Sequence, residues 1–150
     1  MTQPTRTGTA GREHTAIHAG RCHCGFVRYE VDAPVRNLCF CHCESCRRAA
    51  GASPVAWGTV DRARLRIVVG AVREYSSSPQ VLRGFCERCG TTLTYRHATR
   101  ADEIDFALST LQEPGPLAPQ MHIWVQDKLP WVSIDDGLPQ FRTVSTEGPT

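Results

Sequence analysis

Cys22-His23-Cys24-Gly25 and, far along the chain, Cys86-Glu87-Arg88-Cys89-Gly90 are the two stretches that decide how this protein folds. Each pairs two thiols at short spacing with a glycine, the residue that most readily turns a backbone around an ion. Four thiolates suit a tetrahedral zinc with sulfur at about 2.3 Å. Cys22, Cys24, Cys86 and Cys89 are therefore expected to form one structural zinc site. Its ion would clip an amino-terminal strand region to a late hairpin, close a long loop and tie metal binding to folding.

Between these halves lies a second group, Cys41-His42-Cys43-Glu44-Ser45-Cys46. The spacing predicts an extended segment carrying Cys41 and Cys43 that runs into a short helix over Glu44–Ala50, ended by Gly51. So short a helix depends on packing or metal. Thiolates at its start gain from unpaired amides and the helix dipole. Three protein ligands leave a fourth position for water or substrate, the arrangement of a catalytic zinc rather than a closed one. With three thiolates the centre is a weak Lewis acid but a good holder of a soft ligand such as a substrate thiol. Cys39 has three readings: a fourth ligand that closes the site, a neighbouring thiol, or a buried apolar side chain. His23 and His42 are left out of the ligand set.

Composition limits the alternatives. At 150 residues, 41% hydrophobic and 21% charged, the chain is expected to form one globular domain. Its formal charge of +2 would turn slightly negative with seven thiolates and two zinc ions bound, so no nucleic-acid partner is expected. The apolar run Ile67–Val72 is far too short for a membrane span. MTQPTRTGTAGREHT lacks the apolar core of a secretory signal. Eight cysteines permit a disulfide scaffold, but C-x-C pairs are awkward disulfide partners. Metal ligation in a reducing compartment, the cytoplasm, fits better. Residues 16–141 are expected to form the zinc-binding domain, with 1–15 and 142–150 as flexible tails.

Period-two patterning dominates the middle of the chain. Strands are expected around 26–31, 54–60, 65–69, 71–75, 81–85, 91–95, 104–108 and 121–125, with 65–69 and 71–75 lying on either side of Gly70. The spacing favours antiparallel sheets over βαβ units. Residues 113–119 hold three prolines and read as a loop.

The order of motifs resembles the glutathione-dependent formaldehyde-activating enzyme family, the CENP-V/GFA domain. The resemblance runs from about Gly20 to Phe141. It is carried by Gly20-Arg21-Cys22-His23-Cys24-Gly25, by Cys41 to Arg48, by Arg83 to Thr91, and by His122-Ile123-Trp124-Val125 with Pro130-Trp131 and Asp135 to Pro139. It implies a mainly β, Mss4-like fold of antiparallel sheets around the structural zinc, with a short helix. It also implies that Cys22, Cys24, Cys86 and Cys89 are structural ligands, and that Cys41, Cys43 and Cys46 hold the catalytic zinc. The implied reaction is that of a carbon–sulfur lyase, the reversible addition of glutathione to formaldehyde to give S-(hydroxymethyl)glutathione. Cys39 lies outside the family's core pattern.

The expected partner is thus a small thiol or carbonyl substrate, with glutathione the leading choice. Arg47 and Arg48 are candidates for its carboxylates, Trp57, Phe85 and Trp124 for a pocket wall, and His122 for an acid or base. A non-catalytic zinc-binding module is the alternative, favoured if Cys39 completes a closed four-thiolate site. A homodimer through an edge strand or the Trp124/Trp131 region is left open.

Overall fold

The structure, a computed structural model, describes residues 16–145. The tail expected over 1–15 and the last residues of the carboxy-terminal one, 146–150, lie outside the described residues.

The chain is mainly β with one short helix. Strands β1 (Ile17–Arg21), β2 (Arg28–Asp32) and β5 (Leu65–Val69) form a small antiparallel sheet in the order β1-β2-β5. A seven-stranded sheet runs β10-β3-β4-β9-β8-β7-β6. Its members are β3 (Arg36–Cys41), β4 (Val55–Asp61), β6 (Arg73–Ser78), β7 (Val81–Phe85), β8 (Thr92–His97), β9 (Glu103–Ala107) and β10 (Met121–Ile123). The helix α1 spans Glu44–Ala50, between β3 and β4.

Alternation along the strands gives the large sheet two different faces. In β9, Ile104 and Phe106 join Val60, Leu38 and Leu93 in a core that also takes Val27, Tyr29 and Val31 from the small sheet's side. This core holds the two sheets together, and Phe106 and Val27 are fully buried in it. The opposite face carries Cys39, Cys41 and Trp57, packed with Cys46 of α1 and half-buried Tyr95, Met121 and Trp124. The three-cysteine group belongs to this second face.

One expectation needs correction. Antiparallel pairing holds throughout both sheets except at β10, which lies parallel to β3 with Ile123 opposite Cys41. The two short strands expected about Gly70 form in different sheets: β5 pairs with β2 in the small sheet, and β6 with β7 at the edge of the large one. Gly70 is where the chain crosses between sheets. Its φ is +74°, and a Cβ there would collide with the carbonyl oxygen of Phe26, so glycine is required twice over. Within the expected 113–119 loop, Gly115–Leu117 forms a single 3-10 turn.

Candidate metal centres and the adjoining cleft

The first cysteine group sits where two strand connections meet. Cys22 and Cys24 follow β1, and Cys86 and Cys89 follow β7, so the group lies between the small sheet and the large one. The two loops fold alike. Cys22 N–H donates to Val27 O (3.0 Å) and Cys86 N–H to Thr91 O (3.0 Å), while Gly25 and Gly90 donate back to Cys22 O and Cys86 O at 3.1 and 2.8 Å. Both glycines have φ near +75°, the turn that the cysteine–glycine pattern predicts.

The four Sγ atoms lie within 4.8 Å of one another. Cys22 and Cys24 are 3.6 Å apart and Cys24 and Cys86 3.9 Å. A tetrahedron with 2.3 Å metal–sulfur bonds has edges of about 3.8 Å, so the donor set fits a zinc-sized ion. Contacts favour thiolate at two of the four: Val27 N–H donates to Cys22 Sγ at 3.2 Å. The Thr91 hydroxyl, with nearby amides, holds the Cys89 thiol down to about 5. None of the eight cysteines forms a disulfide.

The second group is built by the β3–α1 junction. Cys41 ends β3, Cys43 is the N-cap of α1 and Cys46 lies inside the helix. Cys43 Sγ accepts the Cys46 amide at 3.3 Å, the capping role that a Ser or Asp hydroxyl or carboxylate usually fills. Gly51 ends the helix in the left-handed conformation, with its amide on Arg47 O. The three Sγ atoms again lie within 4.8 Å of one another. Hydrogen bonds from the Cys41 and Cys46 thiols hold Cys43 down to about 2, and the same sharing pushes Cys41 up.

Cys39 stands on the same face of β3, but its sulfur is not part of that three-sulfur group. Burial first, and then the Asp105 carboxylate, push its thiol up to about 12.

The three-sulfur group opens on a cleft of about 1190 Å³. The cleft floor is one face of the large sheet. Register places Thr59, Asp105, Tyr95, Arg83 and Tyr75 side by side across β4, β9, β8, β7 and β6, and all five line the cleft. Asp105 is held by Arg100 at 2.8 Å and by the Thr59 hydroxyl at 2.7 Å. The two non-glycine residues with positive φ among the described residues, Asn37 (50°) and Trp124 (58°), are both cleft-lining. For a bulky Trp this is backbone strain, of the kind that gathers at functional sites. The amide of Trp124 is anchored on Thr143 O at 2.7 Å, and Val125 donates to Phe141 O at 3.1 Å.

The other residues singled out in the sequence divide. Trp57, Trp124 and Arg48 line the cleft, Arg48 pairing with Glu44 across one helical turn. Arg47 does not line it, and Phe85 lines a smaller adjoining hollow. His122 is not brought to the cleft but is buried beside β3. There it stacks on Phe40 and continues a chain: His42 Nε2 and His122 Nδ1 share a hydrogen bond (2.9 Å), and His122 Nε2–H donates to Asp136 Oδ2 (2.9 Å). His42 Nδ1 is buried without a partner.

Burial, and then the neighbouring His122, lower the His42 pKa to about 4. A depressed value means that the neutral ring favours the folded state. Its contribution is complete above the ordinary 6.5 and is lost as pH falls through the folded value near 4. An imidazole NMR titration of the folded protein is expected to find His42 neutral at pH 6, with a midpoint near 4. A midpoint at or above 6.5 would contradict the buried chain.

Residues not singled out in the sequence include Arg83, Tyr95, Asp105 and Arg100. Only Arg83 had a readable signal: alternation in Val81-Leu82-Arg83-Gly84-Phe85 places a charged side chain on one face with two apolar ones.

The family model described as "Glutathione-dependent formaldehyde-activating enzyme" matches residues 17–127, a span that holds all seven grouped cysteines. A Halomonas elongata protein named "Putative glutathione-dependent formaldehyde-activating enzyme" is 29% identical over 127 residues, covering 77% of this chain and 80% of its own. A crystal structure of a Rhodobacter sphaeroides protein superposes with a TM-score of 0.54 at 28% identity, over 66% of this chain and 94% of its own.

Proposed function

Since the chain belongs to the glutathione-dependent formaldehyde-activating enzyme family, we propose that it is a zinc-dependent enzyme of the carbon–sulfur lyase type that joins glutathione and formaldehyde reversibly as S-(hydroxymethyl)glutathione. Cys22, Cys24, Cys86 and Cys89 would hold a structural zinc, and Cys41, Cys43 and Cys46 a second one. The observation that carries this reading is the contrast between the two groups: four sulfurs gather in one, as a closed site would need, whereas three gather beside a large cleft in the other.

The addition forms one C–S bond, opens the C=O π bond and moves the thiol proton to the carbonyl oxygen. A bound zinc would supply charge stabilisation for sulfur as thiolate or for the carbonyl oxygen. The chain's own part is positioning. Trp57, Tyr95, Met121 and Trp124 give the cleft an apolar wall near the three sulfurs. Arg48, exposed at the cleft beside its partner Glu44, presents a cation suited to a carboxylate on a peptide thiol. A one-carbon aldehyde needs no such volume, whereas a peptide-sized thiol would make use of it. Holding both reactants in one cleft reduces the entropy cost of joining them.

The non-catalytic alternative asked for Cys39 as a fourth ligand. Its sulfur lies outside the group, which supports the open reading. Zinc-loaded protein is expected to accelerate formaldehyde consumption in the presence of glutathione above the spontaneous rate. No acceleration at full zinc loading would remove this substrate pair.

A further inference from the structure

Arg83 lies on β7 with only 3% of its surface exposed. Burying a guanidinium is costly unless a negative charge lies against it. The ion pairs among the described residues use more exposed arginines, and none includes Arg83. Its Nε donates to Ser77 Oγ at 3.1 Å and its Nη2 to Ser45 Oγ at 2.8 Å. Its plane lies over the Tyr95 ring at 5.0 Å. Two hydroxyls and a ring supply no net charge. The remaining partner is Cys46 Sγ, which faces both Nη1 and Nη2 at 3.7 Å.

We propose that Arg83 is the built-in counter-cation and positioning residue of the Cys41/Cys43/Cys46 centre. Three thiolates around a divalent ion carry a net charge of −1 in a largely buried site. One fixed guanidinium brings the unit to neutrality. The fork also sets geometry. By gripping Ser45 and Cys46 together it fixes the first turn of α1 against β7, and so holds the Cys46 sulfur towards Cys41 and Cys43. Each charge answers the other: without the thiolates Arg83 is a buried cation alone, and without Arg83 the loaded centre is a buried anion alone.

This inference rests on the second cysteine group being a metal site, and the test separates the two. Zinc release to a chelator is measured for wild type, Arg83→Met and Arg83→Lys, alongside the thiolate-to-metal absorption bands of the cobalt-loaded proteins. Wild type is expected to hold two zinc ions per chain. In Arg83→Met the tighter ion is unaffected, while affinity for the other falls about 10- to 100-fold, the usual effect of removing a group that supports metal ligands. Arg83→Lys recovers part of the loss, because it restores charge without the fork. The cobalt band of Arg83→Met moves to lower energy as Cys46 loses two N–H donors. Should Arg83→Met not fold, Arg83→Gln decides, since it removes the charge and keeps a polar group for Ser45. Two zinc ions in wild type with unchanged affinities in the folded neutral variant overturn this inference alone. One zinc ion in wild type overturns the metal reading of the second group and this inference with it.

Discussion

Cys86→Ser is expected to leave a chain with no cooperative thermal transition. Cys86 is fully buried, at the point where the connection between β7 and β8 meets the connection between β1 and β2. Its sulfur therefore belongs to the join between the two sheets. Binding at structural four-ligand zinc sites is worth about 10–16 kcal/mol in small peptides. The total stability of a domain is only about 5–15 kcal/mol. Losing much of the first term is enough to unfold the chain, and serine at this position adds a buried hydroxyl in place of a thiolate. Circular dichroism against temperature, with zinc content determined on the same samples, checks this. A cooperative melt within a few degrees of wild type would contradict the structural role.

Cys43→Ala is expected to separate chemistry from folding. Cys43 is half-buried at the start of α1 and belongs to neither strand pairing nor the inter-sheet core. Its loss removes an N-cap, worth about 1 kcal/mol, and one of three sulfurs beside the cleft. Under the proposed function, zinc content falls from two ions per chain to one. The acceleration of glutathione–formaldehyde addition falls about 100-fold or more, corresponding to about 3 kcal/mol of lost transition-state stabilisation. The melting temperature moves by only a few degrees. Full activity in a variant carrying a single zinc would show that the Cys41/Cys43/Cys46 group is not where the reaction occurs.

The difference between these variants follows the part of the molecule most legible in sequence. Short thiol spacings and the glycines after them encode local backbone turns, and Gly25 and Gly90 adopt them with the same hydrogen bonds in each half. The helix Glu44–Ala50 was readable for a similar reason, having a glycine stop and a basic last turn. β3 was harder to read. Its cysteines draw attention as ligands, its register slips between Arg36 and Cys39, and Asn37 departs from extended geometry. β1, Ile17–Arg21, has little of the β-branched and aromatic content that marks a strand. It is held there by pairing with β2.

The cleft was less legible still, because it is a property of register between strands distant in sequence. Thr59, Asp105, Tyr95, Arg83 and Tyr75 become neighbours only when five strands are laid in order. His122 shows the opposite case. As a lone histidine in a family motif it suggested acid–base chemistry, yet its ring nitrogens are occupied by His42 and Asp136 away from the cleft. Residue type drew attention to it, and pairing between β10 and β3 turned it inward.

On the proposed function, one zinc centre would be closed by four sulfurs and the other left open by three. Anomalous diffraction from crystals of the zinc-loaded protein, measured on both sides of the zinc edge, tests it directly. Two zinc peaks per chain are expected. One would lie among the sulfurs of Cys22, Cys24, Cys86 and Cys89. The other would lie among those of Cys41, Cys43 and Cys46, with its fourth position facing the cleft. A second peak with Cys39 as a fourth sulfur ligand, or no second peak in fully loaded crystals, would contradict the account.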